Sequence, residues 1–123
     1  MSVNAYLGRR FELWAYTVSL GRMLLRSTRD LDGSLSPRNL DIRFVGVAYT
    51  ELPTSLSGLS ISNASPAEAA RVSERLGRPL AGGEKVFALV SAGVTYYVVA
   101  SGWSAEENDL GRMESGFTNA PPN

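Results

Sequence analysis

Most of the chain consists of short segments rich in β-branched and aromatic residues, separated by glycine, proline and serine. Residues 11–19 (FELWAYTVS) and 22–27 (RMLLRS) are typical of two antiparallel strands joined by a short glycine turn. Residues 85–91 (KVFALVS) and 94–101 (VTYYVVAS) predict a hairpin that turns at Ala92–Gly93. Both strands of this hairpin are apolar on two faces, which predicts central strands or a sheet covered on both sides.

The clearest strand pattern, residues 40–51 (LDIRFVGVAYTE), changes its parity halfway along. Apolar residues occupy the even positions of its first half, whereas Val47 and Tyr49 fall on odd positions. A β-bulge or a sharp bend at Val45–Gly46 would restore a single buried face, and glycine suits such a bend. A short extra strand is expected within residues 56–62.

One helix is marked by signals at both of its ends. Ser65 and Glu68 have the spacing of a capping box, and Pro66 occupies the first helical position. Gly77, followed by Pro79, predicts the end of the helix. Its narrow apolar stripe consists of Ala69, Val72 and Leu76. A narrow stripe of this kind predicts a short surface helix laid on a sheet.

These elements together predict an α+β fold in which one short helix packs on an antiparallel sheet of five or six strands. We expect residues 1–103 to form a single compact domain. Residues 104–123 are polar and acidic and are expected to form a C-terminal tail. Residues 30–38 collect turn-forming residues and predict a loop.

The chain has 123 residues and contains neither histidine nor cysteine. A histidine general base, a Ser-His-Asp triad, a thiol nucleophile and a structural zinc site are therefore excluded. No catalytic residue, cofactor or metal site is predicted. A carboxylate-dependent enzyme is the least favoured of three hypotheses, because it requires two of four carboxylates to meet in one cleft. These four are Asp30, Asp32, Asp41 and Glu51.

The charges balance overall but not along the chain. Twelve basic residues match twelve acidic ones, so no global bias favours nucleic acid or an anionic membrane. Residues 1–43 nevertheless hold seven arginines and four acidic residues, which could bind an anion or an acidic partner. The candidate binding residues there are Arg22, Arg26, Arg29 and Arg43. The alternative interpretation is a solvated strand face that pairs with the acidic tail of the same molecule.

Two aromatic residues complete the set of candidate partner-binding residues. Tyr97 and Trp103 would be natural anchors of a protein interface if their side chains were exposed. The alternative interpretation is that they cover the second face of the sheet.

The N-terminal segment has no recognisable signal peptide, because Glu12 follows Arg9 and Arg10 without an apolar region of the right length. The longest apolar stretch, residues 94–100, is too short for a membrane-spanning helix. We therefore expect a cytoplasmic protein without membrane association.

Two stretches in the first half of the chain carry a family resemblance. They contain Phe11, Trp14, Tyr16, Val18, Ser19 and residues 24–27, followed by Asn39, Asp41, Ile42, Phe44, Gly46, Val47, Tyr49 and residues 52–53. This pattern resembles a group of short bacterial proteins of unassigned activity, some of them similar to toxin-immunity proteins. The resemblance implies a compact β-rich bacterial protein without a settled activity.

The leading hypothesis is a non-enzymatic bacterial protein-binding domain, either immunity- or regulator-like or a subunit of an assembly. Another protein is the expected partner, and a homo-oligomer is kept as an option, whereas nucleic acid is not expected. The alternative is a small-anion or ligand-binding protein that uses the strand-borne arginines.

Overall fold

A computed structural model of the chain describes residues 4–6, 8–17, 21–27 and 39–108. This part of the chain forms ten strands and one helix. The strands are β1 (Asn4–Ala5), β2 (Arg10–Thr17), β3 (Arg22–Ser27), β4 (Asn39–Val45), β5 (Tyr49–Glu51), β6 (Ser55–Ser57), β7 (Ser60–Asn63), β8 (Lys85–Ser91), β9 (Val94–Ala100) and β10 (Gly102–Asn108). The helix α1 spans Pro66–Leu76.

The strands belong to two antiparallel sheets of five strands each. The first sheet has the order β1-β7-β8-β9-β5 and the second has the order β10-β4-β3-β2-β6. The predicted α+β class fits this architecture, but the predicted single sheet of five or six strands is wrong. Alternation of apolar residues reports that a strand has a buried face, and it does not report which strands share a sheet.

The chain passes from the second sheet to the first at Gly46. This residue has φ +66°, and it separates β4, which pairs with β3, from β5, which pairs with β9. The sharp bend predicted at Val45–Gly46 is therefore confirmed. It does not restore one buried face, because Val47 packs against the core between the sheets while Tyr49 packs on the side of the helix.

A second passage between the sheets occurs at Gly58, which has φ +71°. The predicted single strand within residues 56–62 is in fact two short strands, because β6 pairs with β2 and β7 pairs with β8. Leu56 and Leu59 flank this glycine and are both buried between the sheets. The Ser91 hydroxyl joins the two sheets here, since it accepts from the Ser57 N–H at 2.9 Å and donates to the Ser57 carbonyl at 3.1 Å.

The main hydrophobic core lies between the two sheets. Phe44 of the second sheet and Phe87 of the first meet there with ring centroids 6.1 Å apart. The buried core residues come from both sheets and include Phe11, Met23, Leu25, Ile42, Ile61, Leu89 and Val98. Burial of alternate residues from both inner faces gives the sandwich its stability.

The helix covers the outer face of the first sheet, as the narrow stripe predicts. Its fully buried Val72 packs against Val86, Ala88 and Val99 of the two central strands. Ser65 and Glu68 form the predicted capping box, and Gly77 ends the helix with φ +87°. The predicted hairpin of β8 and β9 is also confirmed, with Ala92 and Gly93 both at positive φ.

The boundary predicted at residue 103 falls inside a strand. Residues 102–108 form β10, which pairs with β4 along its full length from Gly102↔Val45 to Asn108↔Asn39. The predicted loop at residues 30–38 and the tail from residue 109 lie outside the described residues. Within the described ranges, no helix is long and apolar enough to cross a membrane.

Candidate functional site

The outer face of the second sheet carries charged side chains where the first sheet carries the helix. On β4 the even positions from Leu40 to Phe44 face the core, so Asp41 and Arg43 lie on the opposite face. Arg26 of β3 is the register partner of Asp41 and shares this face. Two of the four predicted arginines thus come together around one carboxylate.

Arg26 and Asp41 form a buried bidentate ion pair. The Arg26 Nε donates to Asp41 Oδ1 at 2.7 Å, and Nη2 donates to Oδ2 at 2.9 Å. The side chains are 1% and 0% exposed, respectively. The Trp14 ring lies over the guanidinium, with its centroid 5.4 Å from the Arg26 Cζ. Two parallel charge-assisted hydrogen bonds offset the cost of burying both charges.

Three further side chains extend this pair into a network. Arg43 Nη2 donates to Asp41 Oδ2 at 3.2 Å, and Arg43 also forms a short ion pair with Glu106 of β10. Asn108 donates to the same Asp41 oxygen at 2.7 Å. Strands β3, β4 and β10 are therefore linked through one carboxylate, and two arginines face two acidic residues. We call these five residues (Arg26, Asp41, Arg43, Glu106 and Asn108) the charge network.

The charge network bears directly on the predicted anion-binding arginines. Arg26 and Arg43 already hold carboxylates of the same chain, which occupy the position an external anion would take. Arg22 is half-buried, and its side chain makes no hydrogen bond or ion pair within the described ranges. Arg29 lies outside the described residues. A binding role for these arginines stays a prediction.

Tyr97 and Trp103 lie in two different places. Tyr97 is 8% exposed beneath the helix, and its hydroxyl donates to Glu68 Oε2 at 2.6 Å. This hydrogen bond lowers the pKa of Glu68 and raises the pKa of Tyr97. Trp103 is half-buried and packs toward the core, with its ring centroid 6.4 Å from that of Phe44. Tyr97 thus packs among the apolar residues beneath the helix, and Trp103 packs against the core between the two sheets.

The carboxylates considered for catalysis are not gathered. Asp41 belongs to the charge network, whereas Glu51 lies in the first sheet, where it accepts from Tyr49 at 2.7 Å and from Arg75 at 2.8 Å. Asp30 and Asp32 lie outside the described residues. No group of three potential metal ligands occurs in the part of the chain that the structure describes.

Among the strands that the structure describes, β10 has the longest unpaired edge of the four sheet edges. The other edge strands are β1, β5 and β6, with two, three and three residues, whereas β10 has seven. Among the described strands, β10 pairs with β4 alone. Long unpaired edges are rare in folded proteins because they readily accept another strand.

Backbone geometry shows which groups of β10 point away from β4. The Val45 carbonyl accepts from the Ser101 N–H at 2.9 Å, so Val45 directs its backbone groups toward β10. Because these groups alternate in direction along a strand, the backbone groups of Arg43 also point toward β10, where Ser104 lies opposite Arg43. The intervening residues of β10 direct their N–H and carbonyl groups outward; they are Trp103, Ala105 and Glu107.

Comparisons with known proteins add no assignment. No family model matches the chain, and neither a curated protein nor a solved structure was found to match it.

Sequence reasoning missed the β10 edge because Ser104 to Glu107 are polar or small and lack the apolar alternation of a strand. The clean alternation of residues 40–44 predicts that β4 has one buried face, but it does not identify the strands on either side of β4.

Proposed function

We propose that this protein is a non-enzymatic protein-binding domain that accepts an extended segment of its partner along the free edge of β10. The observation that carries the proposal is the length of this edge strand, seven residues against two or three at the other edges. Strand addition uses the outward N–H and carbonyl groups of an edge for affinity and the neighbouring side chains for specificity.

The surface around this edge supports docking of a strand. Ser104 and Ala105, at the middle of β10, are small and exposed, so an incoming backbone meets no bulky side chain. Val45, which is paired with Gly102, is 47% exposed and offers an apolar contact beside the edge. Half-buried Trp103 adds a large aromatic surface at the start of the strand.

The residue types that the chain contains support the proposed biological class. A chain without histidine and cysteine has few groups for acid–base or nucleophilic catalysis, whereas binding through a backbone edge needs none of them. An immunity-like or regulator-like protein, or a subunit of an assembly, binds its partner without chemical turnover. We propose that the protein belongs to this class, and that it is bacterial and cytoplasmic.

The proposal is tested by removing one outward N–H from the edge. Ala105→Pro deletes this donor without deleting a hydrogen bond to β4, and proline is tolerated on the free side of an edge strand. Ala105→Ser keeps the N–H and is the matched control. In quantitative capture from the host lysate, we expect one partner to be retained by the wild type and Ala105→Ser and lost with Ala105→Pro.

A second position guards against local misfolding of the proline variant. Glu107 also directs its N–H outward, so Glu107→Pro should lose the same partner, while Glu107→Ser controls for the lost charge. Circular dichroism and thermal unfolding establish that each variant is folded. Strand addition at this edge would be contradicted if the Ala105→Pro and Glu107→Pro variants are both folded and still retain the partner at wild-type levels.

A further inference from the structure

The β10 edge is acidic as well as long. Glu106 and Glu107 lie near its C-terminal end, are both exposed, and have no basic residue beside them within β10. Arg43 of the neighbouring strand pairs with Glu106. The Glu107 side chain makes no hydrogen bond or ion pair within the described ranges, so its charge is available to a ligand.

The two carboxylates lie on opposite faces of the sheet. Trp103 and Glu107 have the parity of the inner face, whereas Glu106 shares the outer face with Arg43 and Asp41. A strand added to this edge places one residue opposite Glu107 and the next residue opposite Glu106. Consecutive residues of that strand therefore face the two acidic side chains.

We propose that the partner segment is basic, with a lysine or arginine opposite Glu107 and a second basic residue beside it, opposite Glu106. This inference rests on the proposed strand addition and deepens it by naming the chemistry of the partner. Opposite charges directly across neighbouring strands stabilise the pairing, and like charges destabilise it. Arg43 of the charge network already pairs with Glu106, so Glu107 should contribute more than Glu106 to the affinity for a basic segment.

The same charges disfavour a second copy of this chain as the occupant. Pairing of β10 with β10 of another molecule brings four glutamates onto one shared edge without an added cation. The sequence after β10 continues with Asp109 and Glu114 against Arg112 alone, so the local charge stays negative. Natural sheets use charged edge residues to prevent this kind of self-association.

The test uses three capped peptides and the full-length protein, with binding followed by chemical shift changes in nuclear magnetic resonance titrations. The probe is acetyl-Thr-Val-Thr-Lys-Lys-Val-Thr-amide. One control carries glutamates in place of both lysines, and the other carries glutamines. We expect the lysine peptide to bind most tightly, with shifts concentrated in β10, and its affinity to fall as salt is raised.

Protein variants separate charge from the backbone edge. Glu107→Gln should weaken the lysine peptide by roughly threefold, and Glu107→Lys should weaken it by roughly tenfold while favouring the glutamate peptide. Ala105→Pro should abolish binding of all three peptides, whereas Ala105→Ser should leave it unchanged. The salt dependence of the affinity should become weaker in Glu107→Gln, because only Glu106 then faces a lysine of the peptide.

Each contrary result has a distinct meaning. Equal affinity for the three peptides, still abolished by Ala105→Pro, would overturn the basic partner and leave strand addition standing. If the lysine peptide binds equally well to the wild type and to a folded Ala105→Pro variant, the β10 edge is not the binding site and both proposals are overturned. Absence of binding by every peptide would overturn the basic partner, and the capture experiment then decides on strand addition. A dimer in sedimentation that Ala105→Pro dissociates would identify a second copy as the occupant and overturn the inference.

Discussion

The outer faces of the two sheets are stabilised by different means. The first sheet is covered by α1, and the contact consists of aliphatic side chains such as Val72, Val86 and Val99. The second sheet buries Arg26 and Asp41 on its outer face and links them to Arg43, Glu106 and Asn108. One face thus depends on apolar area and the other on complete hydrogen bonding.

This difference determines how each face responds to a change. Apolar burial is non-directional, so the loss of one methyl group costs roughly in proportion to the area it removes from water. A buried ion pair is directional, and the removal of one partner leaves a charge that water cannot reach. The charge network should therefore be the more sensitive of the two faces, although it contributes less apolar area.

The largest effect is expected for Asp41→Ala. This change removes the carboxylate that binds Arg26 through two hydrogen bonds and also accepts from Asn108. We expect the free energy of unfolding to fall by about 3–5 kcal/mol, because the buried guanidinium loses the carboxylate of its bidentate ion pair. Urea denaturation measures the change.

Two further variants sharpen this prediction. Glu107→Ala removes an exposed carboxylate from the neighbouring strand and should change stability by less than about 0.5 kcal/mol. The double variant Arg26→Met/Asp41→Leu removes both charges and should recover much of the stability that Asp41→Ala loses. Equal losses for Asp41→Ala and Glu107→Ala would refute the proposed sensitivity of the charge network.

The next effect concerns the crossing between the two sheets. Gly46 has φ +66°, and a Cβ there would overlap the Ser101 Oγ and lie 3.0 Å from the Ser101 Cβ. Gly46→Ala should therefore lower the stability by about 2–3 kcal/mol, through both the left-handed backbone and the overlap.

Gly77→Ala is the matched control for the glycine crossing, since Gly77 has φ +87° and no atom within 4 Å of the added Cβ. Gly77→Ala should lower the free energy of unfolding by about 1 kcal/mol, the cost of the left-handed backbone alone. Adding Ser101→Gly to Gly46→Ala should recover the remainder. A loss in Gly46→Ala no larger than in Gly77→Ala would show that the overlap has no cost.

Val72→Ala tests the apolar face. Val72 is fully buried under the helix, so loss of its two methyl groups should reduce the free energy of unfolding by about 2 kcal/mol. Thermal or urea unfolding measures this, and Ala70→Ser on the exposed side of the helix provides the control. A loss larger than that of Asp41→Ala would reverse the comparison between the two faces.

The smallest effect is a pH dependence at the end of the helix. Two hydrogen bonds from Arg78, each 2.8 Å, and a further one from the Ala81 N–H lower the pKa of Glu84 from 4.5 to about 2. Because the pKa is lowered in the folded protein, the contribution to stability is complete above pH 4.5 and is lost as the pH falls toward 2.

Arg78→Gln should return the pKa of Glu84 toward 4.5, as measured by nuclear magnetic resonance titration of its carboxyl carbon. Lys85→Gln, which removes an exposed neighbouring charge, should leave this pKa nearly unchanged. An unaltered pKa in Arg78→Gln would show that another group stabilises the carboxylate.

Local signals in the sequence were sufficient for the helix and the hairpins. The capping box of Ser65 and Glu68, the Ala92–Gly93 turn and the glycine between β2 and β3 all act over a few neighbouring residues. Such interactions are present in the sequence pattern itself, so the elements could be predicted without their tertiary context. The bend at Gly46 was predictable for the same reason.

Only the tertiary structure decided how these elements pair. Hydrogen bonds between strands are made by backbone groups common to all residues, so the sequence did not reveal that β4 and β5 belong to different sheets. The residue type of Arg26 and Arg43 likewise predicts that they bind an anion, but it does not reveal which one. In the structure both arginines bind Asp41 of their own sheet. The free edge of β10 is likewise defined by the absence of a neighbour among the described strands, which depends on topology rather than on side-chain pattern.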